Sequence, residues 1–279
     1  MAQIKVAFQG ARGAFSEQAC RQLLTEPDLD FRPLERFVDV YEALMAGKVR
    51  YAVIPFENTL YGSVHENYDH LLNYKPAILA ETSVRIVHNL IGRPEAKFSK
   101  IARAISHPVA LSQCIDFFRD NSGIKAESHY DTGGSVKTVM EGSDASVAAI
   151  ASSNAAAYYG GKILKRSIED DRENYTRFFL LSRKMPRAWK RPQGKLKTSL
   201  VFVTKNVSGA LFRCMSAFAL RDIDLTKIES RPLKGRPFEY LFYVDVLGSP
   251  DEENCANALR HLGEMTEMLA VLGCYPPTE

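Results

Sequence analysis

Three stretches of this sequence place hydroxyls, amides and carboxylates beside apolar runs, where they can do chemistry. Thr176 and Arg177 precede an apolar run that begins at Phe178, and they follow an acidic stretch over 169–173. A threonine hydroxyl is a weak acid and serves as an oriented hydrogen-bond donor or a relay, whereas arginine pairs with carboxylates. Read locally, the acidic stretch is a solvated face and the two residues are a strand edge. Glu57, Asn58 and Thr59 follow the apolar run 51–54 and Pro55. Ligands of open α/β sheets bind beyond the carboxyl ends of strands, although a turn in which Asn58 or Thr59 caps a helix reads equally well. The third stretch is the turn Gln9-Gly10-Ala11-Arg12-Gly13, between an apolar run and a helix start. A strand, a glycine turn and a helix N-terminus make an anion site, with Ser16 as cap or as ligand hydroxyl. Glu35 stands 22 residues past Gly13, where a ribose-binding acid would be, but the glycines read GxxG and not GxGxxG, so a dinucleotide fingerprint is incomplete. The six histidines form no HExxH, and with the five cysteines they show no zinc spacing, which argues against a metal.

Elements must hold these residues. Strands read at 4–8, near Phe31 and at 51–54, and helices at 15–24 and 38–46, the second stopped by Gly47. This alternation predicts parallel strands joined by crossover helices. A second α/β region begins near Pro76. It has extended strands within 78–90, a helix opened by His107-Pro108 that runs through Arg119, and strands at 124–130 and 147–150. Helices follow from Asp131-Thr132 and over 154–159, the latter capped by Ser152 or Ser153 and ended by Gly160-Gly161, before a last strand at 178–181. Residues 198–275 read β-α-β-β-α-β, the ferredoxin-like order.

The 279 residues are 46% hydrophobic and 25% charged. These globular proportions exclude a disordered or fibrous chain and leave room for about two domains. A net charge of +3 is too small to imply nucleic acid or membrane by itself. No run approaches the ~18 apolar residues of a membrane span, and the first residues lack the apolar core of a signal peptide. Widely spread cysteines without a CxxC pair fit a reduced, cytoplasmic protein. Residues 183–197, RKMPRAWKRPQGKLK, hold seven basic and no acidic residues and leave the rest of the chain at −4. That composition marks a linker, with a hinge or inter-subunit contact as its expected use and nucleic acid as the alternative.

Several separated motifs stand in one order: Gly13-Ala14-Phe15-Ser16, Pro55-Phe56-Glu57-Asn58-Thr59, His107-Pro108-Val109-Ala110-Leu111-Ser112-Gln113-Cys114, Asp131-Thr132-Gly133 and Thr176-Arg177-Phe178. Asn206-Val207-Ser208-Gly209-Ala210-Leu211-Phe212 and Leu225-Thr226-Lys227-Ile228-Glu229-Ser230-Arg231-Pro232 follow. In these motifs the chain resembles, over nearly its whole length, prephenate dehydratase with a C-terminal ACT regulatory domain. It departs at Thr59, where serine is usual, at Ser208, where proline is usual, and at Val109, which replaces a common glutamine.

The resemblance implies an α/β fold. Residues 1–182 are expected to form a two-lobed, periplasmic-binding-protein-like catalytic domain, with a crossing near residue 76 and a return near 160–176. The basic linker 183–197 and a ferredoxin-like ACT domain over 198–279 follow. The implied reaction is decarboxylating dehydration of prephenate to phenylpyruvate, with no metal and no cofactor. L-phenylalanine is the implied feedback effector. A homodimer or homotetramer through the ACT domains is implied, with neither nucleic acid nor membrane as partner. Thr176 is the implied donor to the leaving hydroxyl, with Glu57 and Asn58 as further catalytic groups; water or another group relays the proton, and Glu57 is a candidate for that group if burial raises its pKa. Phe15, Ser16, Thr59, Gly62, His107, Thr132, Arg177 and Phe178 are the implied substrate contacts, Arg177 either on a substrate carboxylate or in a structural ion pair. The helix N-termini after Gly13 and at His107-Pro108 are places for the side-chain carboxylate. Asn206, Gly209, Ala210, Leu211, Phe212, Glu229, Ser230, Arg231 and Pro232 are the implied phenylalanine contacts. The alternatives are arogenate dehydratase and a non-catalytic amino-acid sensor.

Overall fold

The computed structural model describes residues 3–186, 194–233 and 235–278. The chain divides into two units, Met1–Tyr74 with Thr82–Leu180, and Lys75–Glu81 with Leu181–Glu279.

The first unit contains two α/β lobes. The first lobe runs β1 (Ile4–Gln9), α1 (Phe15–Leu23), β2 (Leu29–Leu34), α2 (Phe37–Met45), β3 (Tyr51–Asn58), the short β4 (Gly62–Ser63) and α3 (His65–Tyr74). β1 pairs in parallel with both β2 and β3. A central parallel strand is covered on both faces, and the consecutive Val6, Ala7 and Phe8 are accordingly all buried. β3 does not stop at Pro55. It continues to Asn58, with the Pro55 carbonyl taken by Asn67 Nδ2 at 2.7 Å.

β5 (Ala77–Arg85) comes next, its residues 82–85 in the first unit. The second lobe begins only at β6 (Asn89–Gly92), so the crossing expected near residue 76 lies after Arg85. The second lobe continues with β7 (Arg103–Ser106), α4 (Pro108–Ser112), α5 (Ile115–Asp120), β8 (Lys125–Ser128), α6 (Thr132–Glu141), β9 (Val147–Ala151), α7 (Ser153–Tyr159) and β10 (Lys162–Lys165). Its sheet order is β10-β6-β9-β7-β8. Leu90, Ala104, Phe117 and Ile150 fill one face and Ile91, Ile105, Val136 and Ala155 the other. β11 (Tyr175–Ser182) then returns to the first lobe, in the order β11-β3-β1-β2.

The helix expected over 108–119 is two helices. The Asp170 carboxylate takes the amides of Ile115 and Asp116 at 2.8 and 3.0 Å and gives α5 an N-terminus of its own. Of the acidic stretch before β11, residues 170–173 are exposed, and only its first residue departs from a solvated face. Glu169 is buried and accepts the His88 amide at 2.9 Å.

The second unit runs β12 (Lys197–Thr204), α8 (Ala210–Ala219), β13 (Leu225–Pro232), β14 (Tyr240–Leu247), α9 (Glu253–Met265) and β15 (Thr266–Tyr275). The strands order as β13-β14-β12-β15 with antiparallel pairing, which is the ferredoxin-like arrangement. Leu200 and Phe202, two apart on β12, meet Val244, Phe218, Ala258 and Leu262 in one core. Lys197, read as the end of the basic linker, is instead the buried first residue of β12, with Nζ 2.5 Å from Glu81 Oε1. The middle of that linker, 187–193, lies outside the described residues.

All five cysteines are buried and free. Burial pushes the thiols of Cys20 and Cys114 far up and that of Cys255 up to about 11. The native protein is therefore expected to show no fast reaction with a thiol reagent at pH 8, and the unfolded chain to titrate all five cysteines. A rapidly modified thiol in the native state would contradict this packing.

Candidate active site

Asn58, the last residue of β3, organises the centre of the first unit. Its Oδ1 accepts the amides of Leu60 and Tyr61 at 3.0 and 2.9 Å. Two N–H donors on one side fix the orientation of the amide, so Nδ2 is the group that faces β11. There its two protons are shared among Asn174 Oδ1 at 2.7 Å, the Tyr175 carbonyl at 3.1 Å and Thr176 Oγ1 at 3.0 Å. A hydroxyl that accepts from Asn58 keeps its own proton for another partner. Thr176 lines a cleft of about 430 Å³, so that proton has the cleft to point into.

The cleft lies within the first unit, between its lobes. Phe15, Asn58, Gly62, Thr176 and Phe178 line it from the first lobe, and His107 and Thr132 from the second. Phe37, Val64 and Ile86 add apolar wall. His107 caps α4, its Nδ1 accepting the Val109 amide at 3.3 Å, which leaves Nε2 as the protonated nitrogen. Thr132 is the first residue of α6, and Asp131 caps that helix through the Gly134 amide.

Four expected contacts are not on the cleft lining. Side chains alternate along a strand, so Arg177 turns away from Thr176 and Phe178. It pairs with Glu57 Oε2 at 2.8 Å and lies over the Phe179 ring. Of the two uses read for Arg177, the structure therefore shows the ion pair, and Glu57 is not placed to relay a proton to Thr176. Thr59 spends its hydroxyl on the backbone, donating to the Glu173 carbonyl at 2.8 Å and accepting the Tyr175 amide at 3.0 Å. Ser16 is buried within α1, and Ala14 stands at the N-cap in its place.

The anion site read at the N-terminal turn is filled by the chain itself. Gly13 N–H donates to Glu17 Oε2 at 2.9 Å, and Arg12 and Arg21 flank the same carboxylate at 3.0 and 2.7 Å. Gly13 serves close approach, because a Cβ there would stand 2.4 Å from Ala155 Cα of the second lobe. A wider recess of about 820 Å³, lined by Gly10, Arg12, Glu35 and Tyr158, shares Gln9, Tyr130 and Asp131 with the cleft.

The expected effector residues lie in the second unit. Gly209, with φ +73°, is the N-cap of α8, which Ala210, Leu211 and Phe212 begin. Asn206 precedes it, and Glu229, Ser230, Arg231 and Pro232 end β13, the last strand in the sheet order.

The model of the family described as prephenate dehydratase matches residues 6–186. The chain belongs to this family. It is 40% identical over 284 residues to "Arogenate dehydratase/prephenate dehydratase 2, chloroplastic" of Arabidopsis thaliana, across 98% of this chain and 73% of that one. Among solved structures it is similar to a prephenate dehydratase from Arthrobacter aurescens in complex with L-Phe, with TM-score 0.89 and 29% identity over 98% of this chain and 90% of that one. It is also similar to GqqA, described as a novel type of quorum quenching acylases, with TM-score 0.88 and 32% identity over 98% and 97% of the two chains. The family is that of the prephenate and arogenate dehydratases of phenylalanine biosynthesis, which makes the chain a dehydratase, a lyase. Among the described residues no helix is long and apolar enough to cross a membrane.

Within this dehydratase the cleft also holds residues that local sequence pattern does not mark. His88, at the crossing between lobes, is 2% exposed and meets the Phe15 ring edge-on. Its Nε2 bonds Gln113 Oε1 at 2.8 Å, and Nδ1 has no partner among the described residues. Only the topology, which brings residues 88, 113 and 15 together, could have found it. Burial pushes the His88 pKa below the ordinary histidine value, with the Gln113 bond and Glu169 acting in the opposite sense. The unfolded chain therefore takes up this proton first as the pH falls. Stability owed to the neutral ring is full above about pH 6.5 and drains away below it. His88→Gln keeps a donor for Gln113 and is expected to flatten the fall of Tm between about pH 6.5 and 5. An unchanged slope would contradict the neutral, buried ring.

Proposed function

We propose that the chain removes water and CO2 from prephenate to give phenylpyruvate, with Thr176 as the hydrogen-bond donor to the leaving hydroxyl. The observation that carries this reading is the Asn58 Nδ2–H···Oγ1 bond to Thr176, which leaves the threonine proton for the cleft. The ring carboxylate leaves as CO2, its electron pair passes through the ring, and the hydroxyl on the far ring carbon departs. A proton must reach that oxygen for it to leave as water, and the difficulty is its poor leaving ability near neutral pH. An oriented donor in a water-poor site is stronger there than in bulk. The apolar wall of Phe15, Phe37, Ile86 and Phe178 suits a departing carboxylate whose lost solvation favours CO2. His107 Nε2–H and the start of α6 at Thr132 are the donors for the remaining carboxylate.

Arogenate is the second reading. The cleft lining contains Asp131 and neither lysine nor arginine among the described residues, a balance that suits the ammonium of an amino-acid side chain. The Arabidopsis relative carries both activities in its name.

We also place phenylalanine feedback in the second unit. The free amides at the start of α8 suit an amino-acid carboxylate. β13 ends the sheet order, so a second copy of the chain alongside it would bring Glu229 to Pro232 to the effector. A homodimer or homotetramer formed in this way needs neither metal nor cofactor.

Thr176→Ala is expected to lower kcat by about 10²–10³-fold with folding intact, and Thr176→Ser to keep a measurable fraction. Near-normal turnover by Thr176→Ala would remove the donor role. The ratio of kcat/KM on prephenate and on arogenate decides between the two substrates. Gly209→Ala or Ser230→Ala is expected to blunt inhibition by phenylalanine, and unchanged inhibition in both would move the effector site elsewhere.

A further inference from the structure

The two lobes of the first unit touch in two different ways. On one side the contact is packed and buried: Ser152 Oγ donates to the Gly13 carbonyl at 2.6 Å, and Gly13 lies against Ala155 without room for a Cβ. At the cleft, the contact includes a pair of exposed side chains, Tyr61 from the loop after β3 and Ser112 at the end of α4, joined by a hydrogen bond. The direction of that bond follows from proton count. Ser112 Oγ gives its one proton to the Val109 carbonyl at 2.9 Å, so Tyr61 Oη donates to Ser112 Oγ.

Both ends of this bond are tied to the candidate chemistry. The Tyr61 amide is held at 2.9 Å by Asn58 Oδ1, and the same Asn58 side chain holds Thr176 Oγ1 at 3.0 Å through Nδ2. On the other lobe, α4 carries Val109 and Ala110 on the cleft wall, between His107 and Gln113. A continuous path of hydrogen bonds and one short helix therefore joins Thr176 to the groups that face it across the cleft.

We propose that Tyr61 and Ser112 are positioning residues for the dehydration: their bond sets the spacing between Thr176 on one lobe and the His107–Gln113 wall on the other. The inference rests on the proposed role of Thr176. Holding a donor and a bound substrate in register is worth orders of magnitude in rate, and a small misplacement is felt in kcat. Tyr61 and Ser112 are exposed, so trimming them removes the bond without opening a core.

The test is a double-mutant cycle of Tyr61→Phe, Ser112→Ala and the pair, with Ser112→Thr as the variant that keeps a hydroxyl. On whichever of prephenate and arogenate the wild type turns over, each single variant is expected to lower kcat by about 3- to 10-fold, the loss of one hydrogen bond, with a smaller change in KM. The pair is expected to be no worse than the larger single loss, Ser112→Thr to retain most of the rate, and Tm to move by less than about 2 °C. Additive losses would mean that Tyr61 acts on the substrate directly and would overturn the proposal, as would unchanged kcat or a fall in Tm that accounts for the loss. If the wild type turns over neither substrate, the dehydratase reading fails on its own. Amide hydrogen exchange over 58–62 and 108–113 then decides the cross-lobe bond: faster exchange in both single variants supports it, and unchanged exchange overturns it.

Discussion

The carboxamide of Asn58 takes two amides of its own loop with its oxygen and shares the two protons of its nitrogen among three acceptors, Asn174 just before β11 and Tyr175 and Thr176 on it. A partly buried polar group of this kind is costly when it is half-paired and rigid when it is fully paired. Here the pairing is full, and much of the site follows from it. The loop that carries Tyr61 and Gly62 is held at its start, β11 is held against the end of β3, and the Thr176 hydroxyl accepts from Asn58 and keeps its proton for another partner. Asn58 can hold this place because β3 does not end at Pro55. The strand delivers residue 58 to the rim of the sheet, beside the start of β11.

Charge is kept out of the cleft by the same strand geometry. Alternation sends Glu57 and Arg177 to the other face, where they pair with each other at 2.8 Å. The N-terminal turn is closed to external anions by Glu17, which takes the Gly13 amide and two arginines. What faces the cleft is mostly uncharged: the hydroxyls of Thr132 and Thr176, amides and aromatic rings, with Asp131 as the aspartate among the described residues. Such a lining suits a reaction in which a carboxylate must lose its solvation and a hydroxyl needs one well-aimed donor.

Much of this was legible in the residues. The strand–turn–helix alternation, a serine cap on α7, left open between Ser152 and Ser153 and taken by Ser152, and the β-α-β-β-α-β order of the second unit all follow from period and punctuation. The resemblance brought Thr176, Asn58, Phe15, Gly62, His107, Thr132 and Phe178 together as site residues, and the structure sets them on one cleft. Glu57 and Arg177 were less legible, because the direction of a side chain depends on where its strand begins. β11 starts before Thr176, not at Phe178, and β3 runs past Pro55. The roles of buried Glu169 and exposed Asp170 were hidden in an acidic run because nothing local shows that the amides of His88, Ile115 and Asp116 need them. His88, Gln113 and Tyr61 gained their places only from tertiary contacts that no spacing encodes.

The most direct measurement of the central claim is the single-turnover rate of Asn58→Asp on prephenate or arogenate. The carboxylate is nearly isosteric and still accepts the Leu60 and Tyr61 amides, and Asn174 can turn its amide to donate to it. Unlike the carboxamide, it only accepts, so it draws the Thr176 proton away from the cleft. The account predicts a folded protein whose rate falls by about 10²-fold or more. A folded Asn58→Asp variant that turns over within about threefold of the wild type would contradict it.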